Sequence, residues 1–208
     1  MKRQMLIGVL FFSAIWGFFE VVLGGSLYGY EIPYASILLT IIGFCVLALA
    51  RGFFPMLGVA SLIGLSAMCL KFLNAPVYKC HYLAILLMGV SFDLFFNVLK
   101  IKQKSLAIAG AALFNNAAFA VLMSYIIHYQ PWVNGGTAKV LDHIFVSGMI
   151  VAAVSALLVP LCLKWGESLN RKQPGLFAGR LAWTPRLISA SGAALWVISL
   201  VIFAAQML

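Results

Sequence analysis

Seven apolar stretches, most of them close to the length of one bilayer crossing, are joined by segments whose lysines and arginines gather on alternate sides. No other feature narrows the fold so far. Backbone polar groups in hydrocarbon must be satisfied within the protein, and a run of about 20 apolar residues does this as a helix. The expected architecture is all-α, a polytopic transmembrane helical bundle forming a single integral membrane domain over residues 1–208. The spans are Met5–Leu23, Tyr34–Ala50, Phe53–Leu73, His81–Leu99, Ser105–Ile127, Val140–Leu163 and Leu187–Met207. Gly24-Gly25-Ser26 and Pro33 open the first loop, and Arg51 with Pro55 makes a tight hairpin. Pro76 ends the third span, and Pro131 with Gly135-Gly136 marks a longer loop. The second span is short for a crossing.

Orientation follows from the basic residues, which concentrate on the cytoplasmic side of such proteins. With the N-terminus inside, eleven are cytoplasmic: Lys2, Arg3, Arg51, Lys100, Lys102, Lys104, Lys164, Arg171, Lys172, Arg180 and Arg186. Lys71, Lys79 and Lys139 are the three outside. The C-terminus is then outside, and the expected location is a bacterial inner (cytoplasmic) membrane, multi-pass. A formal charge of +9 is thus a topology signal and implies no nucleic acid. Hydrophobic residues make up 64% and charged residues 9%, against roughly a quarter charged in soluble proteins. Only the 164–186 segment is a sizeable aqueous stretch, so there is no room for a soluble catalytic domain. The N-terminus has the charge pattern of a signal peptide but is expected to stay as the first helix.

An ionisable group at membrane depth is costly and marks a candidate site. Glu20 lies fifteen residues beyond Met5, about 22 Å along a helix at roughly 1.5 Å per residue, hence in the outer leaflet. Ser13, Trp16, Gly17, Glu20 and Gly24 share a face by i, i+3, i+4 spacing. That face is either a ligand-binding stripe or a carboxylate snorkelling outward or bonding a neighbouring helix. Asp93 is the second candidate, on one face with Gly89 and Asn97, toward the inner half of the fourth span. Asn115 and Asn116 in the fifth span stand within reach of it. The spacing fits interhelical hydrogen bonding to those amides, protonation of the carboxyl, or pairing with the Lys100–Lys104 loop.

His81, His128 and His143 all fall at outer ends of spans. Together with Glu20 they form a set of imidazoles and a carboxylate that could hold a divalent metal, although none has the i, i+4 spacing of a preorganised site. The expected outer pocket is lined by Trp16, Glu20, Tyr28, His128 and His143. Tyrosines and Trp132 crowd the same side, as in any aromatic belt, and Gly24, Gly25 and Gly29 would let the backbone bend over a ligand. Cys45, Cys69 and Cys162 are packing residues, and Cys80 sits at the outer boundary; without a CxxC they support neither disulfides nor zinc. The 164–186 segment mixes basic and apolar residues and is expected to lie on anionic headgroups or to dock a partner.

Ala14-Ile15-Trp16-Gly17-Phe18-Phe19-Glu20, continuing through Leu23-Gly24-Gly25 to Ile32-Pro33, resembles the substrate-binding S components of energy-coupling factor transporters. Lys71 and the Gly89-x-x-x-Asp93 stretch add to the resemblance, which covers roughly the first 100 residues. It implies a six-helix protein that binds a vitamin or metal ion near its outer face. It also implies that the protein hands its cargo on within a complex of a transmembrane coupling protein and ATPases. The small residues matching the family's coupling-protein contact are Ser13 and Gly17. A seventh span departs from that pattern, and no G-x-x-x-x-G-K-[ST] loop is present.

The leading expectation is a transport subunit binding a small molecule at the outer face. An accessory or anchoring subunit of a larger membrane complex is the alternative. An intramembrane enzyme is disfavoured by the absence of HExxH, GxSxG, paired carboxylates on one helix, and any nucleophile with an evident base.

Overall fold

The computed structural model describes residues 2–71, 79–174, 176–177 and 184–207, and these are helical apart from short connections. The helices are α1 (Lys2–Phe18), α2 (Gly24–Gly29), α3 (Ala35–Phe53), α4 (Val59–Lys71) and α5 (Lys79–Asp93). They continue with α6 (Lys104–Val121), α7 (Gln130–Val133), α8 (Gly136–Asp142), α9 (Gly148–Lys172) and α10 (Thr184–Met207). Pro76, Tyr78, Arg180 and Trp183 lie outside the described residues.

Five helical stretches are long and apolar enough to cross a membrane: Gln4–Gly29, Ala35–Phe53, Cys80–Val98, Lys104–Ile126 and Gly136–Lys172. Val59–Lys71 and Ile188–Ile198 are shorter apolar helices at the places of the expected third and seventh spans. Two expected breaks are absent. Gly24 and Gly25 do not open a loop, because the helix runs through them to Gly29. In an apolar environment no water competes for the freed backbone groups, so glycine loses much of its power to end a helix. The expected sixth span is likewise only part of Gly136–Lys172, so the start of the 164–186 segment belongs to α9.

The helices close a ring in the order α1, α4, α5, α6, α9, α3, with α3 and α9 forming its most extensive contact and α10 resting on the outside of α1. Two crossings need glycine. A Cβ on Gly52 of α3 would run into the backbone at Gly166 of α9, and one on Gly89 of α5 would lie 2.5 Å from the Ala60 carbonyl of α4. These are the small-residue approaches by which helices pack without a hydrophobic driving force between them. The core is apolar, with Phe12, Trp16, Phe44, Leu47, Ile63 and Phe92 fully buried. The outward faces are apolar as well: Leu6, Leu62, Leu106, Leu157 and Leu161 all present their side chains. Such a surface is what a helix shows to lipid.

The two ends of the ring differ. Ser36 and Arg51, on the same helix α3, are about 22 Å apart at roughly 1.5 Å per residue. The first stands at an end carrying Glu20, His81 and His143; the second stands at an end carrying Lys100, Lys102, Lys104 and Glu167. We call them the histidine end and the lysine end.

Candidate functional site

At the histidine end the ring lines a half-open cavity of about 230 Å³, just below the roughly 300–1,000 Å³ of most small-molecule sites. Each wall comes from a different helix. Glu20 follows α1, Tyr28 comes from α2, and Ser36, Leu39 and Thr40 come from α3. On α5, His81, Ala84, Ile85 and Met88 keep i, i+3, i+4, i+7 spacing and form one lining stripe. Asn115, Asn116 and Phe119 of α6 line it too, together with Trp132 and His143.

Several of these positions lie where the α-helix loosens into a π-helical turn. Glu20 is in Phe19–Leu23, His143 is in His143–Ser147, and Leu122–Ile126 follows Phe119. A π turn adds a residue to the repeat and re-aims the side chains around it, which is why such turns recur at functional sites.

Glu20 does not wait for a cation. Its Oε2 lies 3.2 Å from Lys71 Nζ, and the same ammonium donates to the Glu20 carbonyl at 2.6 Å. Both residues are buried, at 5% and 2% exposure. Gly24 makes room for this pair, since a Cβ there would come within 3.1 Å of Lys71 Nζ. Lys71 therefore belongs inside the bundle, where it answers a carboxylate, and not in an outer loop. The pair supplies its own charge balance, so the cavity beside it has little need of a charged ligand.

Two aromatic–imidazole contacts shape the walls. The Tyr28 and His81 rings are 4.6 Å apart, and His143 meets Trp132 at 5.0 Å, edge on, with Phe119 at 5.6 Å. Between them stand two amides. Asn116 Nδ2 donates to the Ala112 carbonyl at 2.9 Å. Asn115 is 3% exposed, yet its Oδ1 accepts no hydrogen bond from the described residues. A buried unpaired acceptor costs about 1–3 kcal/mol, so Asn115 is the atom in this cavity most in need of a donor.

Three expected pocket residues, Glu20, Tyr28 and His143, are brought together here; two are not. Trp16 is completely buried one turn before Glu20, its indole filling the space that Gly43 leaves open and touching the region of Met88, so it packs beneath the cavity. His128 is exposed and occupies a left-handed turn (φ +52°) between α6 and α7, away from the lining. His81, also expected at an outer helix end, lines the cavity and His128 does not. Ser36 and Thr40, spaced i, i+4 in an otherwise apolar span, were the readable signal for the α3 wall; Thr40 Oγ1 donates to the Ser36 carbonyl at 2.7 Å.

Asn115 and Asn116 do not bond Asp93. Asp93 Oδ2 accepts from Ser61 N at 2.8 Å and Ser61 Oγ at 2.7 Å, and Oδ1 accepts from Asn97 Nδ2 at 2.8 Å. Asn97 Oδ1 in turn accepts from Arg51 Nη1 at 2.7 Å. The reason is depth: the asparagines stand at the histidine end of α6, while Asp93 belongs to a network tying α3, α4 and α5 toward the lysine end. Ser13 and Gly17 likewise turn inward. Ser13 Oγ donates to the Val9 carbonyl, and Gly17 packs against Leu70 of α4, so neither offers a face to another subunit.

The segment expected to lie on headgroups is partly internal too. Phe177 is buried against Phe11, Phe12, Phe53 and Phe54, with centroids 5.2 to 6.0 Å away. All four cysteines are free, and Cys80 lines the cavity. Among the described residues no three His, Cys, Asp or Glu side chains come together in a metal-holding group. No family model, curated protein or solved structure matches this chain.

Proposed function

We propose that the protein is a membrane transport subunit that binds a small, planar, uncharged organic molecule in the cavity at its histidine end. The observation that carries this reading is the buried Asn115 amide oxygen, without a hydrogen-bond donor among the described residues, in a cavity that two aromatic–imidazole contacts also line. Flat faces favour a ring, and a ring carrying an N–H or O–H would satisfy Asn115. The internal Glu20–Lys71 pair argues against a ligand selected by net charge. A bare metal ion is the weaker form of the same proposal, because the histidines stand in aromatic contacts and not around a common centre.

The stretch from Ala14 to Glu20, continuing to Pro33, is the support for proposing an S component of an energy-coupling factor transporter. On that reading the cargo passes to a transmembrane coupling protein with ATPase subunits. We also propose seven crossings with the N-terminus inside a bacterial inner membrane and the C-terminus outside, as the basic-residue bias requires.

The test is to purify the protein in mild detergent, denature it and identify released small molecules by mass spectrometry. A heterocyclic compound should be recovered near one per chain from the native protein and lost from Asn115→Leu. Recovery of the same compound from Asn115→Leu, or no binding of any heterocycle in a thermal-shift screen, would refute the proposal. A C-terminal reporter active only in the cytoplasm would overturn the topology.

A further inference from the structure

The lysine end carries a second pocket, of about 300 Å³, lined by Arg51, Lys100, Lys102 and Lys104 together with Phe96 and Glu167. Its charges do not cancel. Glu167 is already answered by Lys104 at 2.8 Å, and Asp93 is engaged by Ser61 and Asn97 behind Arg51. Four cations against these two carboxylates leave two positive charges unmatched among the described residues.

The pocket is also shaped. The Arg51 guanidinium lies 5.0 Å over the Phe96 ring and is tethered to Asn97, which fixes the direction of its fork. A guanidinium and three lysines lining one space suit a phosphate, whose oxygens accept from several donors at once. Lys100 is held at φ +50°, a conformation that residues with a side chain rarely adopt. No side chain caps the first turn of α6 at Gln103, so the leading amides of that 18-residue helix add to the positive field.

We propose that this pocket binds the phosphate headgroup of an anionic phospholipid. Apolar surface decides between lipid and soluble phosphate. Val98, Leu99 and Leu106 expose their side chains on both sides of the three lysines, so charge and lipid-facing surface are continuous. An amphiphile with an anionic head and acyl chains meets both, and basic pockets between membrane helices are known to take such headgroups.

Delipidated protein in detergent, titrated with phosphatidylglycerol or phosphatidylcholine and read by native mass spectrometry, tests this. Phosphatidylglycerol should be retained in preference. Lys100→Gln/Lys102→Gln should weaken its retention by about thirtyfold, with the melting point of the lipid-free protein unchanged because these lysines are exposed. Lys100→Arg/Lys102→Arg should keep the preference. Equal retention of phosphatidylcholine, undiminished retention by the glutamine variant, or loss in the arginine variant would overturn the proposal. Displacement of the lipid by millimolar inorganic phosphate would overturn the lipid assignment in favour of a soluble anion. None of these outcomes depends on the cavity at the other end.

Discussion

The two ends of the bundle handle charge in opposite ways. At the histidine end, Glu20 and Lys71 are buried and answer each other, while in the neighbouring cavity the Asn115 Oδ1 accepts no hydrogen bond from the described residues. At the lysine end, Asp93 is fully engaged by Ser61 and Asn97, while Lys100 and Lys102 stand exposed with no carboxylate in ion-pair distance among the described residues. The first arrangement leaves hydrogen bonding as the unfinished business of the site; the second leaves net charge. A neutral organic ligand and an anionic headgroup are the corresponding partners. An intramembrane carboxylate is therefore not by itself a ligand-binding group: both of those in this bundle are satisfied by the protein.

Glu20→Ala tests this contrast most severely. It strands the Lys71 ammonium in the bundle and should destabilise the protein by about 3–5 kcal/mol, read as a lowered melting point in detergent. Replacing both partners by leucine should recover most of the loss. A single variant as stable as the native protein would mean that the pair is not buried as described.

Asp93→Asn comes next. Three donors converge on two carboxylate oxygens, and an amide offers one, so a loss of about 1–3 kcal/mol is expected. Ligand retention at the histidine end should be unchanged. A loss of retention with normal melting would show that the two ends are coupled.

Asn115→Leu should do the reverse. Removing an unpaired buried acceptor leaves stability equal or slightly higher, while ligand affinity falls by about tenfold or more, the worth of one lost hydrogen bond to a buried group. Equal loss of stability and affinity would place Asn115 in the packing of the bundle instead.

The smallest effect is expected at His128, exposed in its turn. His128→Ala should change stability by no more than about 0.5 kcal/mol and leave ligand retention alone. Any marked loss of retention would bring the α6–α7 turn into the site and blur the distinction between the ends.

Apolar run length was enough to read an all-helical chain from the sequence, because lipid leaves a spanning chain few other ways to satisfy its backbone. Glu20, Tyr28 and His143 were readable as one cluster because depth along a helix can be counted at a fixed rise per residue. Depth does not say which way a side chain turns about the helix axis or which neighbour meets it. Trp16 shares a face with Glu20 and still packs below the cavity, into the space left by Gly43. Lys71 ends an apolar helix like any boundary lysine, and only the approach of α4 to α1 beside Gly24 turns it inward to Glu20. Asn115 and Asn116, near midplane, looked within reach of Asp93 in the inner half of its span, yet Asp93 found Ser61 on the adjoining helix. Composition and apolar run length determined that this chain forms helices, and the basic residues marked one end of the bundle from the other. Tertiary packing alone decided which polar groups cancel and which stay open, because pairing depends on crossings set by Gly17, Gly52 and Gly89, where the absence of a single carbon lets two helices touch.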